Sequence, residues 1–412
     1  MISTKSNFFL IAILFIFAGS GFQSCKKELE INADYRAYPI VYGLLNQYDS
    51  LQVIKVNKSF LGNDDPRNYA GVQDSSLFEQ VDLKLIEYHN GIKQKSYVLN
   101  KMVLNNKEPG IFANPENVVY GTVLPKLKPN GIKYLNETVI TEGQVSNRVS
   151  YKIEGTVNGD INISAEMNPI PEYRVDFFQQ SEFRTKWNAD IPKIGFASAT
   201  KLTEGIVLQD VEIPPFTKIA ELKFTFNYID TDLNGDTTHH FIEATMGEVI
   251  VPVLSETKIY KTDFAIKSER FYQLIAALVP DFDATKLKQR MPGHVDFEIV
   301  LGDENYYYYR ENTLPSDDLN QLKPQFSNIE NGFGIFVSRM KVKMTDWAIG
   351  TQEDIISIKG MPGVLLNRTS QEALNRGYIL QGNGEDPIQL GTASKGFCID
   401  PEVGNVGSDL CK

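Results

Sequence analysis

Several residue types are scarce in this chain, and each scarcity closes off a class of chemistry. There are four histidines, His89, His239, His240 and His294, and three cysteines, Cys25, Cys398 and Cys411. No C-x-x-C pair, H-E-x-x-H, Walker loop, G-x-G-x-x-G or G-x-S-x-G elbow occurs, so no zinc, nucleotide or acyl-transfer site is marked. His89 stands beside a predicted turn and reads as a solvated loop residue. Basic residues are also short, with 41 Lys and Arg against 52 Asp and Glu and a formal net charge of −11. Nucleic acid requires a basic face, so it is excluded as a partner. Beyond residue 25 no apolar run approaches the about 20 residues of a spanning helix. The expectation is a protein that is not an enzyme and needs no cofactor. An unmarked acid pair or triad would still be recognised only by geometry.

The long apolar run that does exist lies at the start. Lys5 supplies a positive charge, Phe8 to Ala18 is uninterrupted apolar sequence, and Gly19, Ser20 and Gly21 are small. That run is too short to span a bilayer and reads as an export signal. Ordinary cleavage after Ala18-Gly19-Ser20 competes with lipoprotein processing before Cys25. Ser24 fits a lipobox, whereas Phe22 and Gln23 depart from it. Cysteine pairing favours the second route. Cys398 and Cys411 sit close together at the far end and are expected to form a disulfide. Cys25 is then left over, and lipid attachment explains it. The expected boundaries are a signal peptide over 1–24 and a tether over 25–34. The run Lys26-Lys27-Glu28-Leu29-Glu30 resembles the charged tether of some surface-exposed Bacteroidota lipoproteins.

The chain beyond the tether is rich in strand and turn material. Leu51–Val56 and Val81–Leu85 alternate apolar and polar residues, as half-buried strands do. Asn-Gly pairs begin at Asn90, Asn130, Asn158, Asn234, Asn331 and Asn383, and such pairs between alternating runs signal hairpins. The fold class is therefore mainly β, with an immunoglobulin-like β-sandwich over 35–167. Asn168-Pro169-Ile170-Pro171 reads as a stiff joint. A second β-rich domain over 171–350 opens with strand material at Tyr173–Phe178 and includes strands around Leu222–Tyr228, His239–Met246, His294–Val300 and Gly334–Met344. It carries one amphipathic helix, Ser268–Val279, with Phe271, Leu274, Ile275, Leu278 and Val279 on one face. A C-terminal appendage over 351–412 holds a short helix opened by a capping box, Thr369 to Glu372, and closed by Gly377.

Two stretches resemble a known group. Tyr38-Pro39-Ile40-Val41-Tyr42-Gly43-Leu44-Leu45-Asn46 with Ile54–Gly62, and later Lys323–Phe336, look like the markers of a family of Bacteroidota lipoproteins that includes DUF4249, a domain of unknown function. The resemblance implies a β-rich, two-part surface or periplasmic lipoprotein, often accompanying outer-membrane TonB-dependent uptake systems. It carries no functional residues.

Three features remain to be placed. Tyr306 to Tyr309 reads as an aromatic strand with two rings inward and two outward, the outward pair offering a platform for sugar rings or a partner. Trp187 and Trp347 read as core anchors. Asp230, Asp232, Asn234 and Asp236 have the spacing of the first half of a calcium loop, with Gly235 at the bend. The twelfth position is Phe241, where a bidentate Glu belongs, and a hairpin turn explains the same residues. The leading functional expectation is a non-enzymatic envelope lipoprotein, an accessory or binding component of an uptake or adhesion assembly. A surface hydrolase or glycan-binding protein with an unmarked carboxylate site is the alternative.

Overall fold

Alternation along the first strands decides which face is buried. In β1 (Pro39–Leu45) Val41 and Leu45 point inward, and in β2 (Leu51–Lys58) Ile54 and Val56 do. The computed structural model describes residues 37–124, 148–170, 193–252, 259–313, 326–343 and 364–399, apart from 47–48, 60–64, 108, 199 and 382–384. It also describes residues 140–141, 144–145, 348–349 and 356–357. The signal and tether, Cys25, Cys411, Trp187, Trp347 and Tyr173–Phe178 lie outside the described residues.

Five further strands complete the N-terminal unit: β3 (Val81–His89), β4 (Ile92–Leu104), β5 (Asn117–Val123), β6 (Val149–Val157) and β7 (Ile161–Met167). Their order is β1-β2-β5-β4 in one layer and β3-β6-β7 in the other, with β4 pairing into both. Four strands facing three in this order is the arrangement of an immunoglobulin-like sandwich. The hairpins β3–β4 and β6–β7 turn at Asn90-Gly91 and Asn158-Gly159, and all four residues have positive φ, which Asn and Gly tolerate best. No Cys–Trp–Cys core is present among the described residues; Leu85, Ile54, Ile153, Tyr151 and Phe336 fill the interior instead.

Phe336 belongs to a strand far along the chain from β1, and this changes the domain picture. The strand β13 (Phe333–Lys343) follows β8 (Ile206–Ile213), β9 (Ile219–Asp232), β10 (Thr237–Ile250), β11 (Tyr260–Ile266) and β12 (Leu287–Gly302). Its first half lies parallel to β1, from Ile40↔Phe333 to Leu45↔Ser338. Its second half lies antiparallel to β12, from Gly302↔Arg339 to Glu298↔Lys343. Ile329 and Phe336 enter the first core, while Met340 and Val342 enter the second. The two expected domains thus share one strand within a 13-stranded sheet.

The second core is aromatic. Helix α1 (Ser268–Leu278) lays Phe271, Tyr272 and Ile275 on it. Phe271 stacks on Phe196 with centroids 4.0 Å apart and meets Phe224 and Phe226 edge-on. Leu278, expected on the same face, is about half exposed because the helix ends there. Residues 364–399 are no appendage. β14 (Val364–Leu366) pairs with β12 and with Lys193–Ile194, and Leu366, Leu374, Ile379, Leu390 and Phe397 lie in this core.

Two helix starts differ from the sequence expectation. Tyr306–Tyr309 forms no strand; it lies in helix α2 (Glu304–Thr313). Asp303 accepts the Tyr306 N–H at 2.8 Å, and this cap after Gly302 outweighs the strand preference of tyrosine. Helix α3 (Arg368–Arg376) is capped by Asn367, whose side chain accepts the Ser370 N–H, so the cap lies two residues before the expected Thr369. Gly377 closes it in the left-handed conformation, as expected. Among the described residues no helix is long and apolar enough to cross a membrane.

Candidate functional site

The calcium-loop residues are placed first, because pairing decides their chemistry. Strands β9 and β10 stay paired as far as Thr231↔Thr237, leaving only a tight turn between them. Asp230 is therefore a buried strand residue. Its two carboxylate oxygens accept from Arg290 Nε at 2.7 Å and Nη2 at 2.8 Å. His240 Nε2 approaches the second oxygen at 3.5 Å. Asp232 Oδ1 accepts the backbone N–H groups of Asn234 and Asp236, each at 2.8 Å, and these bonds hold its carboxyl below the usual range. The geometry is that of a hairpin turn, with Asp230 committed to an arginine. Among the described residues no group of three or more His, Cys, Asp or Glu is arranged to hold a metal.

The remaining marked residues also find places. Cys398 is disulfide-bonded and buried; Cys25 and Cys411, the other two cysteines, lie outside the described residues. His89 ends β3 rather than standing in a solvated loop, and its Nε2 lies 2.7 Å from Glu87 Oε1.

What the fold does assemble is a cleft across the outward face of β1 and β2. Because β1 alternates, Ile40 and Tyr42 face outward while Val41 faces the core. Antiparallel pairing sets Asn57 opposite Ile40 and Lys55 opposite Tyr42, bringing each pair's Cβ atoms within about 5 Å. Two adjoining cavities of about 340 and 540 Å³ share Ile40, Tyr42 and Ser59 as their common floor.

The walls come from distant sequence. On the side of the smaller cavity, α2 contributes Tyr309, Asn312 and Thr313, and Phe326 and Phe333 complete the lining. The Tyr309 and Tyr42 hydroxyls are 3.5 Å apart, and their rings meet edge-on with centroids at 6.3 Å. Burial, then the bond to Tyr42, raises the Tyr309 hydroxyl's pKa above its ordinary value. Tyr308 leans on Phe326 at 5.9 Å. The aromatic run singled out in the sequence thus helps build the cleft, as a helix. Gly334 lies beneath with φ +102°, and any Cβ there would strike the Val41 carbonyl.

The larger cavity is cationic. Among the described residues, Lys55, Lys58 and Lys107 line it against one carboxylate, Glu116. Lys55 donates to Asn117 Oδ1, Lys58 to the Asp74 carbonyl and Lys107 to the Ala113 carbonyl. The Lys107 ammonium lies 5.6 Å from the Phe112 ring centroid, within cation–π range. Burial, then the charge of Lys107, lowers the Lys55 pKa. Sequence reasoning missed these lysines, and only the outward phase of Tyr42 and Lys55 on their strands pointed toward the site.

The chain matches no protein-family model. It also matches no curated protein.

Proposed function

We propose that this chain is a cell-envelope lipoprotein, anchored in the outer membrane through Cys25 and acting as a binding or accessory component of an uptake or adhesion assembly. The observation that carries the binding role is the two-part cleft on the β1–β2 face. Rings, amides and lysines from six separate stretches converge there over a floor formed by a paired sheet, and sites built on a rigid scaffold hold their groups in place. A concave surface with an apolar floor and a few directed polar groups is the usual form of a recognition site. The anchor is supported by Lys5, the Phe8–Ala18 run and Cys25, the one cysteine without a nearby partner in sequence. The resemblance carried by Tyr38–Gly62 and Lys323–Phe336 supports a TonB-dependent transporter, or another envelope protein, as its partner in the membrane.

Metabolic labelling with an alkyne fatty acid tests the anchor. The parent chain takes up label and Cys25→Ala does not; label that survives the substitution refutes it. Pull-down from detergent-solubilised outer membrane tests the assembly, with copurification of a TonB-dependent porin as the expected result.

A further inference from the structure

We propose that the cleft binds an acidic oligosaccharide, with its carboxylate or sulfate groups on Lys55 and Lys107 and its sugar rings over Tyr42 and Tyr309. This takes the binding role above as its premise and names the ligand class.

The charge distribution is the first support. In a chain of net charge −11, three lysines meet in one cavity where Glu116 is the single carboxylate among the described lining residues. Among the described residues, Lys55, Lys58 and Lys107 take part in no ion pair; each spends a proton on a neutral oxygen. Glu116 is itself engaged, accepting from Gln73 Nε2 at 3.3 Å. Two neighbouring ammonium groups that repel each other and are partly dehydrated gain from an anion between them. The lowered affinity of Lys55 for its proton has that physical origin.

The second support is the other half of the cleft. Tyr42, Tyr309, Phe326 and Phe333 give ring faces and edges, and Asn312 and Thr313 give side-chain hydrogen-bonding groups. Apolar ring surface beside amide and hydroxyl groups suits a molecule with C–H faces and hydroxyl edges. An acidic peptide would share the charge, but extended peptides gain affinity by adding to a free strand edge. β1 offers none, being paired on both sides by β13 and β2, whereas β2 is paired by β5 only over Leu51–Ile54, so the peptide probe below decides against that mode.

Calorimetric titration of the full protein in detergent tests the assignment, with three probes: an oligogalacturonate, a neutral oligosaccharide of equal length, and an oligoglutamate peptide. The acidic sugar is expected to bind, to weaken steadily as salt rises, and to exceed the neutral sugar by about tenfold or more, the scale of one lost charge contact. Lys55→Met/Lys107→Met should lose that margin, and Lys55→Arg/Lys107→Arg should keep most of it. The salt dependence of the parent protein reads the same charges without any variant. Absence of heat with millimolar oligogalacturonate overturns the proposal. So does equal binding of the neutral sugar, peptide binding as tight as the sugar's, or a Met double variant that folds and binds like the parent. Labelling and pull-down report on anchor and partner, so either reading can fail while the other stands.

Discussion

At the residue scale, buried charge dominates. Arg290 is 1% exposed, and besides Asp230 it donates to the carbonyls of Pro280 and Lys395. Its guanidinium also lies 5.1 Å from the Tyr228 ring centroid and 5.8 Å from that of Phe397. Removing either partner strands a charge, so Asp230→Asn or Arg290→Met should cost about 3–5 kcal/mol in chemical denaturation. Restoration of the melt of either variant by millimolar calcium would contradict this placement. Asp303 behaves differently. Burial pushes its carboxyl up to about 7, against backbone N–H donors of Ser338, Tyr306 and Asn305 that pull it down. The folded state therefore holds a proton that the unfolded chain releases, so stability falls as pH rises from about 4 to about 7. Asp303→Asn should flatten that slope; an unchanged slope in denaturant titrations across this range would refute it.

At the element scale, the paired pattern of strands was legible and its long-range closure was not. Alternation in β2, β3 and β6 and the Asn-Gly turns at 90 and 158 were enough to reach the sandwich. Alternation states which face is buried but never names the neighbour, so the parallel seam of β1 with β13 left no local trace. The tyrosine run failed for a related reason. Strand propensity is a surface preference, and one capping carboxylate three residues upstream reversed it. The site was less legible than the fold. Asp230 looked like a ligand because its arginine is 60 positions away, and the lysines of the cleft carry no spacing signature. The seam makes its own prediction. Phe336→Ala removes a side chain that lies in the first core from a strand that also serves the second. A loss of about 3–5 kcal/mol is expected, visible in tyrosine fluorescence and circular dichroism at the same denaturant concentration.

At the scale of the whole molecule, shared elements imply shared cooperativity. The 13-stranded sheet runs through both cores, and residues 364–399 complete the second with Leu366, Leu374 and Phe397. Truncation after residue 350 should therefore leave the second core open, and the truncated chain should aggregate or expose apolar surface to a hydrophobic dye. A truncated protein with the parent's melting temperature would show that the tail is dispensable.

The seam between β1 and β13 also has a mechanical consequence. If the chain is anchored through Cys25 as proposed, tension from the membrane enters ahead of residue 37, and β1 is the first of the described strands to receive it. Ladder hydrogen bonds run across the strand axis, and β1 is held on both flanks, by β13 and by β2. A pull along that axis loads the rungs of both ladders together in shear instead of opening them one after another. The first strand thus acts as a clamp, and force on the tether is shared at once between the front and the back of the chain.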